Sequence, residues 1–94
     1  MIGRISGVLV EQAAQKIVID CLGLGYEIET SLTNFLKLPD LGQKVSLHTH
    51  LTIRDDAHLL YGFSSESERG LFRSLLKVNG VGTKVALVIL SGMD

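Results

Sequence analysis

Cys21 is the only cysteine in this 94-residue chain. That excludes an intrachain disulfide and a thiolate metal cluster, and makes a reducing cytoplasm the simplest expected home. An excess of charge of one sign is also missing, because the formal net charge is only -1. With no overall basic field, affinity for a polyanion has to come from local placement of donors. No uninterrupted apolar run approaches the ~20 residues of a membrane span. The start, Met1-Ile2-Gly3-Arg4, lacks the apolar region of a secretory signal. A soluble protein with no membrane partner is expected. Low-complexity tracts and internal repeats are absent as well. His48 and His50 alternate on one strand face with no third ligand at useful spacing, so no metal is expected and both, like His58, are read as solvated. No cofactor is implied. No Ser-His-Asp, Cys-His or paired-acid arrangement stands out, and Glu27 and Glu29 read as an exposed strand face, so no catalysis is expected.

What the chain does contain begins with strands. Ile2 to Val10 is apolar or small and reads as a first strand, followed by a turn over Glu11 to Gln15. Lys16 to Leu22 is rich in β-branched residues and places Ile17, Ile19 and Cys21 on one face. Gly23 and Gly25 bracket a turn before Tyr26 to Thr30, whose period of two sets Glu27 and Glu29 opposite Tyr26 and Ile28. Ser31 to Leu38 loses the alternation; Thr33 or Ser31 can cap a helical turn that Pro39 stops. In the next strand Val45, Leu47, Thr49, Leu51 and Ile53 alternate with Ser46, His48, His50, Thr52 and Arg54, one side facing core and the other water. Arg54 to Ala57 reads as a hairpin tip before His58 to Phe63. Five short strands with an interrupting helical turn suit an all-β barrel of the OB type, with a β-sandwich as the alternative. Most aromatic residues lie on apolar faces and are expected in the core.

After Gly62 the period changes. Ser65-Glu66-Ser67-Glu68 has capping-box spacing, and Leu71, Phe72, Leu75 and Leu76 form a helical stripe. The expected division is therefore a barrel over residues 1–63 and the start of a helical domain over 64–94, α+β overall. Two helical runs meet at Asn79-Gly80-Val81-Gly82, too glycine-rich to stay helical. The amides that open the second run have no carbonyl partners within it, and such an end attracts anions. A dinucleotide fingerprint would need a preceding strand and a small residue where Val85 stands, and a P-loop needs a longer loop. The open alternatives are a phosphate-holding hairpin and a plain helical packing unit. Residues Val85 to Leu90 are consecutively apolar, so their side chains point around nearly the whole helix. A fragment, an assembly, or both is expected to supply their cover.

Gly80-Val81-Gly82 followed by Thr83, Lys84 and Ala86 resembles the helix-hairpin-helix of DNA-binding proteins. Together with MIGRISG at the start, RDDAHLLYGF at the end of the barrel, and LFRSLLKVNGVGTKVALVILSGM, the order of features resembles the RuvA family of bacterial Holliday-junction proteins across the whole chain. The resemblance implies an OB-fold first domain and the first of two helix-hairpin-helix motifs. It also implies a homotetramer that binds four-way junction DNA in recombination, repair and the SOS response. The resemblance also implies a RuvB motor as partner, engaged through a C-terminal domain expected to lie outside these 94 residues. The implied DNA-phosphate site is Asn79, Gly80, Val81, Gly82, Thr83 and Lys84, the glycines clearing space and Lys84 adding a point charge. Asp55 and Asp56 match the family's acidic pin, against a plain reading as turn residues. Two rival functions stay open: an OB-fold protein gripping single strands, and an assembly module whose hairpin only packs against partners.

Overall fold

The computed structural model describes residues 1–92, so Met93 and Asp94, the end of the 64–94 segment, lie outside the described residues. The period-two stretches form β1 (Arg4–Ala13), β2 (Lys16–Cys21), β3 (Leu24–Glu29), β4 (Lys44–Arg54) and β5 (Ala57–Phe63). Between β3 and β4 sits α1 (Leu32–Leu36); α2 (Glu66–Leu76) and α3 (Thr83–Ser91) follow the barrel. The sheet closes in the order β1-β2-β3-β5-β4 and back onto β1, antiparallel except for the β3–β5 pair. Closure removes open sheet edges, which short strands would otherwise expose. The architecture is consistent with the expected OB fold and not with a sandwich.

The interior is filled from the alternation read in the sequence: Ile5, Leu9, Ile17, Ile19, Ile28 and Leu47 are all buried. Close packing reaches the backbone at Gly7. A Cβ there would collide with the Asp20 carbonyl oxygen and lie 2.8 Å from Ile19 Cγ2, so this crossing of β1 and β2 admits only glycine.

Two turns differ from the sequence expectation. Strand β1 runs on through Glu11 to Ala13, bending at a register shift between Leu9 and Glu11. The turn is only Ala14-Gln15, both with positive φ, 52° and 67°. The second turn is Leu22-Gly23 (φ 54° and 98°), so Gly25 lies inside β3. Both are two-residue hairpin geometries; the first contains neither Gly nor Asn and so carries no turn signal, whereas in the second Gly23 supplies one. Ser31, not Thr33, caps α1, its side chain accepting from the Asn34 amide.

The outer face of β4 is also not solvated throughout. Helix α2 lies across it: Phe72, fully buried, packs against His50, Tyr61 and Phe63 with ring centroids 5.5, 5.3 and 4.8 Å away. Ala86, Leu87 and Leu90 of α3 complete this second core. Arg69 fixes α2 to the barrel by donating to the Gly3 and Thr49 carbonyls.

Candidate nucleic-acid interface

The connection from α2 to α3 runs from Lys77 to Gly82, longer than the four residues at which the sequence breaks. Lys77 and Val78 wind tightly back onto Ser74 and Leu75. The Val81 amide then donates to the Val78 carbonyl at 3.1 Å, closing a turn with Gly80 at φ +84°. A side chain is strained at that angle, which explains Gly80. Asn79 is exposed within the same turn.

Gly82 is the N-cap of α3, with extended backbone and no side-chain acceptor. By contrast Ser31 caps α1, and Ser65 caps α2, whose first turn also carries Glu66 and Glu68. The first turn of α3 has no acid. Its leading bond is Ala86 N to Gly82 O at 2.9 Å, so the amides of Thr83, Lys84 and Val85 have no partner among the described residues. A Cβ built at Gly82 meets nothing within 4 Å, so the fold itself does not demand glycine there. The approach to the free amides is open.

The six residues singled out in the sequence divide accordingly. The Val81 amide is engaged within the turn by its bond to the Val78 carbonyl. The Thr83 side chain is turned away from any ligand: it is buried, and its hydroxyl oxygen accepts from Tyr61 Oη at 3.0 Å and Arg54 Nη2 at 3.2 Å. Its amide remains available. Gly80 and Gly82 line the turn, and Lys84 is exposed beside it.

Asp55 and Asp56 form the whole of the two-residue turn between Arg54 and Ala57. Both are exposed, and among the described residues neither carboxylate is paired with a cation. The hairpin that carries them outruns the barrel. Strand β4 pairs with β1 only as far as His48, and β5 pairs with β3 only at Leu60 and Tyr61, so the distal part is a two-stranded ribbon.

His50 is not the solvated residue expected. Its Nδ1 accepts from Arg73 Nε at 3.0 Å, which fixes the neutral tautomer. Burial under α2, then the charges of Arg73 and Arg69, hold its pKa below the usual 6.5. A readable signal was missed along the chain. Residues 69–92 contain Arg69, Arg73, Lys77 and Lys84 and no acidic residue, so a near-zero total charge conceals a basic helical hairpin beside an acidic barrel.

These features define a class: a closed five-stranded barrel consistent with the OB fold, extended by a pair of short helices whose junction presents unpaired amides. The chain belongs to the RuvA family, since the model of the RuvA N terminal domain matches residues 1–62. It is 57% identical over 94 residues to the Holliday junction branch migration complex subunit RuvA of Nitrosococcus oceani, covering 100% of this chain and 47% of that protein. It is 60% identical over 93 residues to the protein of that name from Thioalkalivibrio sulfidiphilus, covering 99% of this chain and 46% of the relative. With that of Bordetella petrii it shares 54% over 94 residues, covering 100% and 50%. The chain thus spans about half the length of the curated relatives it matches. No helix among the described residues is long and apolar enough to cross a membrane.

Proposed function

We propose that this chain is the junction-binding part of a Holliday-junction branch migration subunit, selecting four-way DNA by structure and not by sequence. The observation that carries the reading is the uncapped, acid-free start of α3 behind the Gly80–Gly82 turn, set in a basic stretch. A helix-hairpin-helix made from α2 and α3, within a helical DNA-binding domain over residues 64–94, would present the amides of Thr83, Lys84 and Val85 to one backbone phosphate. The helix dipole and Lys84 favour the anion there.

Each hydrogen bond to a charged group contributes ~1.5 to 3 kcal/mol, so a few of them only match the cost of association. One hairpin binds weakly. An oligomer, a homotetramer in the family, raises affinity by repetition. Asp55 and Asp56 supply selectivity: a carboxylate ~4 Å from a phosphate is repelled by about 1 kcal/mol even at water's dielectric, and copies around one point multiply this. Continuous duplex is disfavoured where the acids converge, whereas an open junction leaves them room. The subunit is non-catalytic, acts in the cytoplasm during recombination and repair, and hands the junction to a RuvB-type motor.

The test compares four-way junction, duplex and single-stranded DNA at matched salt, using the intact protein. Junction is expected to bind tightest, and replacing Asp55 and Asp56 by Asn is expected to raise duplex affinity and narrow the preference. Preference for single strands would replace this reading with an OB-groove grip. No binding by a folded oligomer would leave an assembly module.

A further inference from the structure

The Asp55-Asp56 turn sits at the end of a ribbon that the barrel does not hold. From Leu51 to Arg54 strand β4 pairs only with β5; Leu59 packs the near part of this ribbon against the second core, and beyond it Ile53 to Asp56 are exposed. One side-chain hydrogen bond connects this distal ribbon to the helical hairpin among the described residues. Arg54, the residue just before Asp55, donates from Nη2 to Thr83 Oγ1 at 3.2 Å. Thr83 is the first residue of α3, so its amide is one of the unpaired donors while its hydroxyl faces inward. The same oxygen accepts from Tyr61 Oη at 3.0 Å, and Tyr61, 3% exposed, stands on the firm part of β5 where it pairs with β3. Two donors from one hairpin, one at its root and one at its tip, thus converge on a single acceptor at the head of the recognition helix.

We propose that Thr83 is a positioning residue: through Tyr61 and Arg54 it fixes the distance between the α3 amides and the Asp55-Asp56 turn, and thereby the preference for junctions over duplex. The inference rests on the function proposed above and adds a specificity-determining role for three residues. A hydroxyl oxygen has two lone pairs, and both are used here, so the acceptor is saturated and the geometry doubly constrained. Thr83 is 6% exposed, which keeps water from substituting for either donor. Repulsion between carboxylate and phosphate is screened over about 8 Å at physiological salt. A tip free to swing by such a distance no longer repels a duplex seated on the amides, while the amides themselves still bind it. Loss of the linkage therefore has an asymmetric signature, weakening discrimination and leaving the phosphate contact.

Thr83→Val keeps the shape and removes the acceptor, Thr83→Ser keeps the acceptor, and Tyr61→Phe removes one donor. In the intact protein, Thr83→Val is expected to lower the junction-to-duplex affinity ratio about 30-fold, the equivalent of two lost hydrogen bonds. The salt slope of duplex binding stays as in the wild type, Thr83→Ser restores the ratio, and Tyr61→Phe falls between. A proportional loss for both DNAs, or an unchanged ratio in a folded variant, overturns the proposal. A DNA-free measurement separates this from the function itself. Spin labels at Asp56→Cys and Lys84→Cys, with Cys21→Ser, are expected to give one narrow distance distribution that broadens on adding Thr83→Val. An unchanged distribution refutes the linkage whatever the DNA result, and a wild type without junction preference refutes the functional reading while the distances still judge the linkage.

Discussion

Replacing Gly82 by Asp sets the stability of α3 against its proposed use. The position has extended N-cap backbone (φ -93°, ψ -175°), and a Cβ there meets nothing within 4 Å, so the side chain is accommodated without strain. Aspartate is among the best N-caps, and its charge suits the positive end of the helix dipole. Together these stabilise the fold by roughly 0.5 to 1.5 kcal/mol. The same carboxylate accepts from the Lys84 and Val85 amides, which are the donors assigned to the phosphate, and adds a like charge where the anion would sit. Two charge-assisted bonds at about 1.5 to 3 kcal/mol each correspond to a loss of more than ~100-fold in affinity. Urea unfolding gives the first quantity and fluorescence anisotropy with labelled junction and duplex the second, over a salt series. The expected outcome is a rise in the urea midpoint with binding lost to both DNAs and a salt slope shallower by about 0.9 per phosphate contact removed. Gly82→Ser, a cap without charge, should stabilise slightly and fall between. A Gly82→Asp protein that is stabilised yet binds DNA like the wild type would show that the open helix end is not the phosphate site.

Three further outcomes test the structure beneath the site. Phe72, fully buried between His50, Tyr61 and Phe63, ties α2 to the barrel; Phe72→Ala should cost about 3 to 5 kcal/mol in urea unfolding, and a cost near that of a surface change would contradict this packing. Gly7→Ala forces a methyl against the Asp20 backbone and should destabilise by more than the ~1 to 3 kcal/mol of ordinary overpacking, whereas Gly70→Ala, which meets nothing, should be neutral or stabilising by the same measurement. His50 has its pKa lowered by burial, Arg73 and Arg69, so below its ordinary value the unfolded chain takes up the proton first. Its contribution is thus complete above about pH 6.5 and lost as pH falls toward the folded value. The fall in urea midpoint between about pH 7.5 and pH 5 should be smaller in His50→Gln, and equal slopes would show that His50 does not carry it.

How much of this was legible in the sequence follows from where each structural cause resides. Barrel strands whose pattern is set by one buried face were readable, because alternation at Ile17, Ile19, Ile28 and Leu47 is a direct record of the interior. The capping box at Ser65 was readable for a similar reason, since a local bond to the Glu68 amide at 3.2 Å needs only local residues. Ala14-Gln15 was not, because that turn takes its positive φ from the twist of the strands it joins and not from Gly or Asn. His50 was misread because a period-two pattern reports which side of a strand is polar, and not whether a later helix will lie on it. The motif names six adjacent residues without their orientation, and helix geometry sends the Thr83 side chain inward to Tyr61 while Lys84 is exposed. The basic stretch after Glu68 was visible all along and was lost in the sum over the whole chain.

The open end of α3 has a structural cost that the rest of the chain offsets. A helix of 9 residues with Gly as N-cap and no side-chain cap is disfavoured by a few tenths of a kcal/mol relative to a capped one, and Val85, Val88 and Ile89 remain exposed. The stabilisation comes from tertiary contacts at both ends instead of local ones. At the C-terminal end the Leu32 amide donates to Ser91 Oγ at 2.8 Å, and Thr33 Oγ1 donates to the Ser91 carbonyl at 3.2 Å. At the N-terminal end Tyr61 and Arg54 hold Thr83, and between them Ala86, Leu87 and Leu90 are buried against the barrel side. Holding a helix by its buried face and its side chains leaves its first amides uncommitted. A local capping residue would stabilise the same helix by consuming those donors. The barrel therefore does more than carry the acidic turn: by holding α3 from the side, it lets the helix keep an unfilled end, on which the proposed phosphate contact depends.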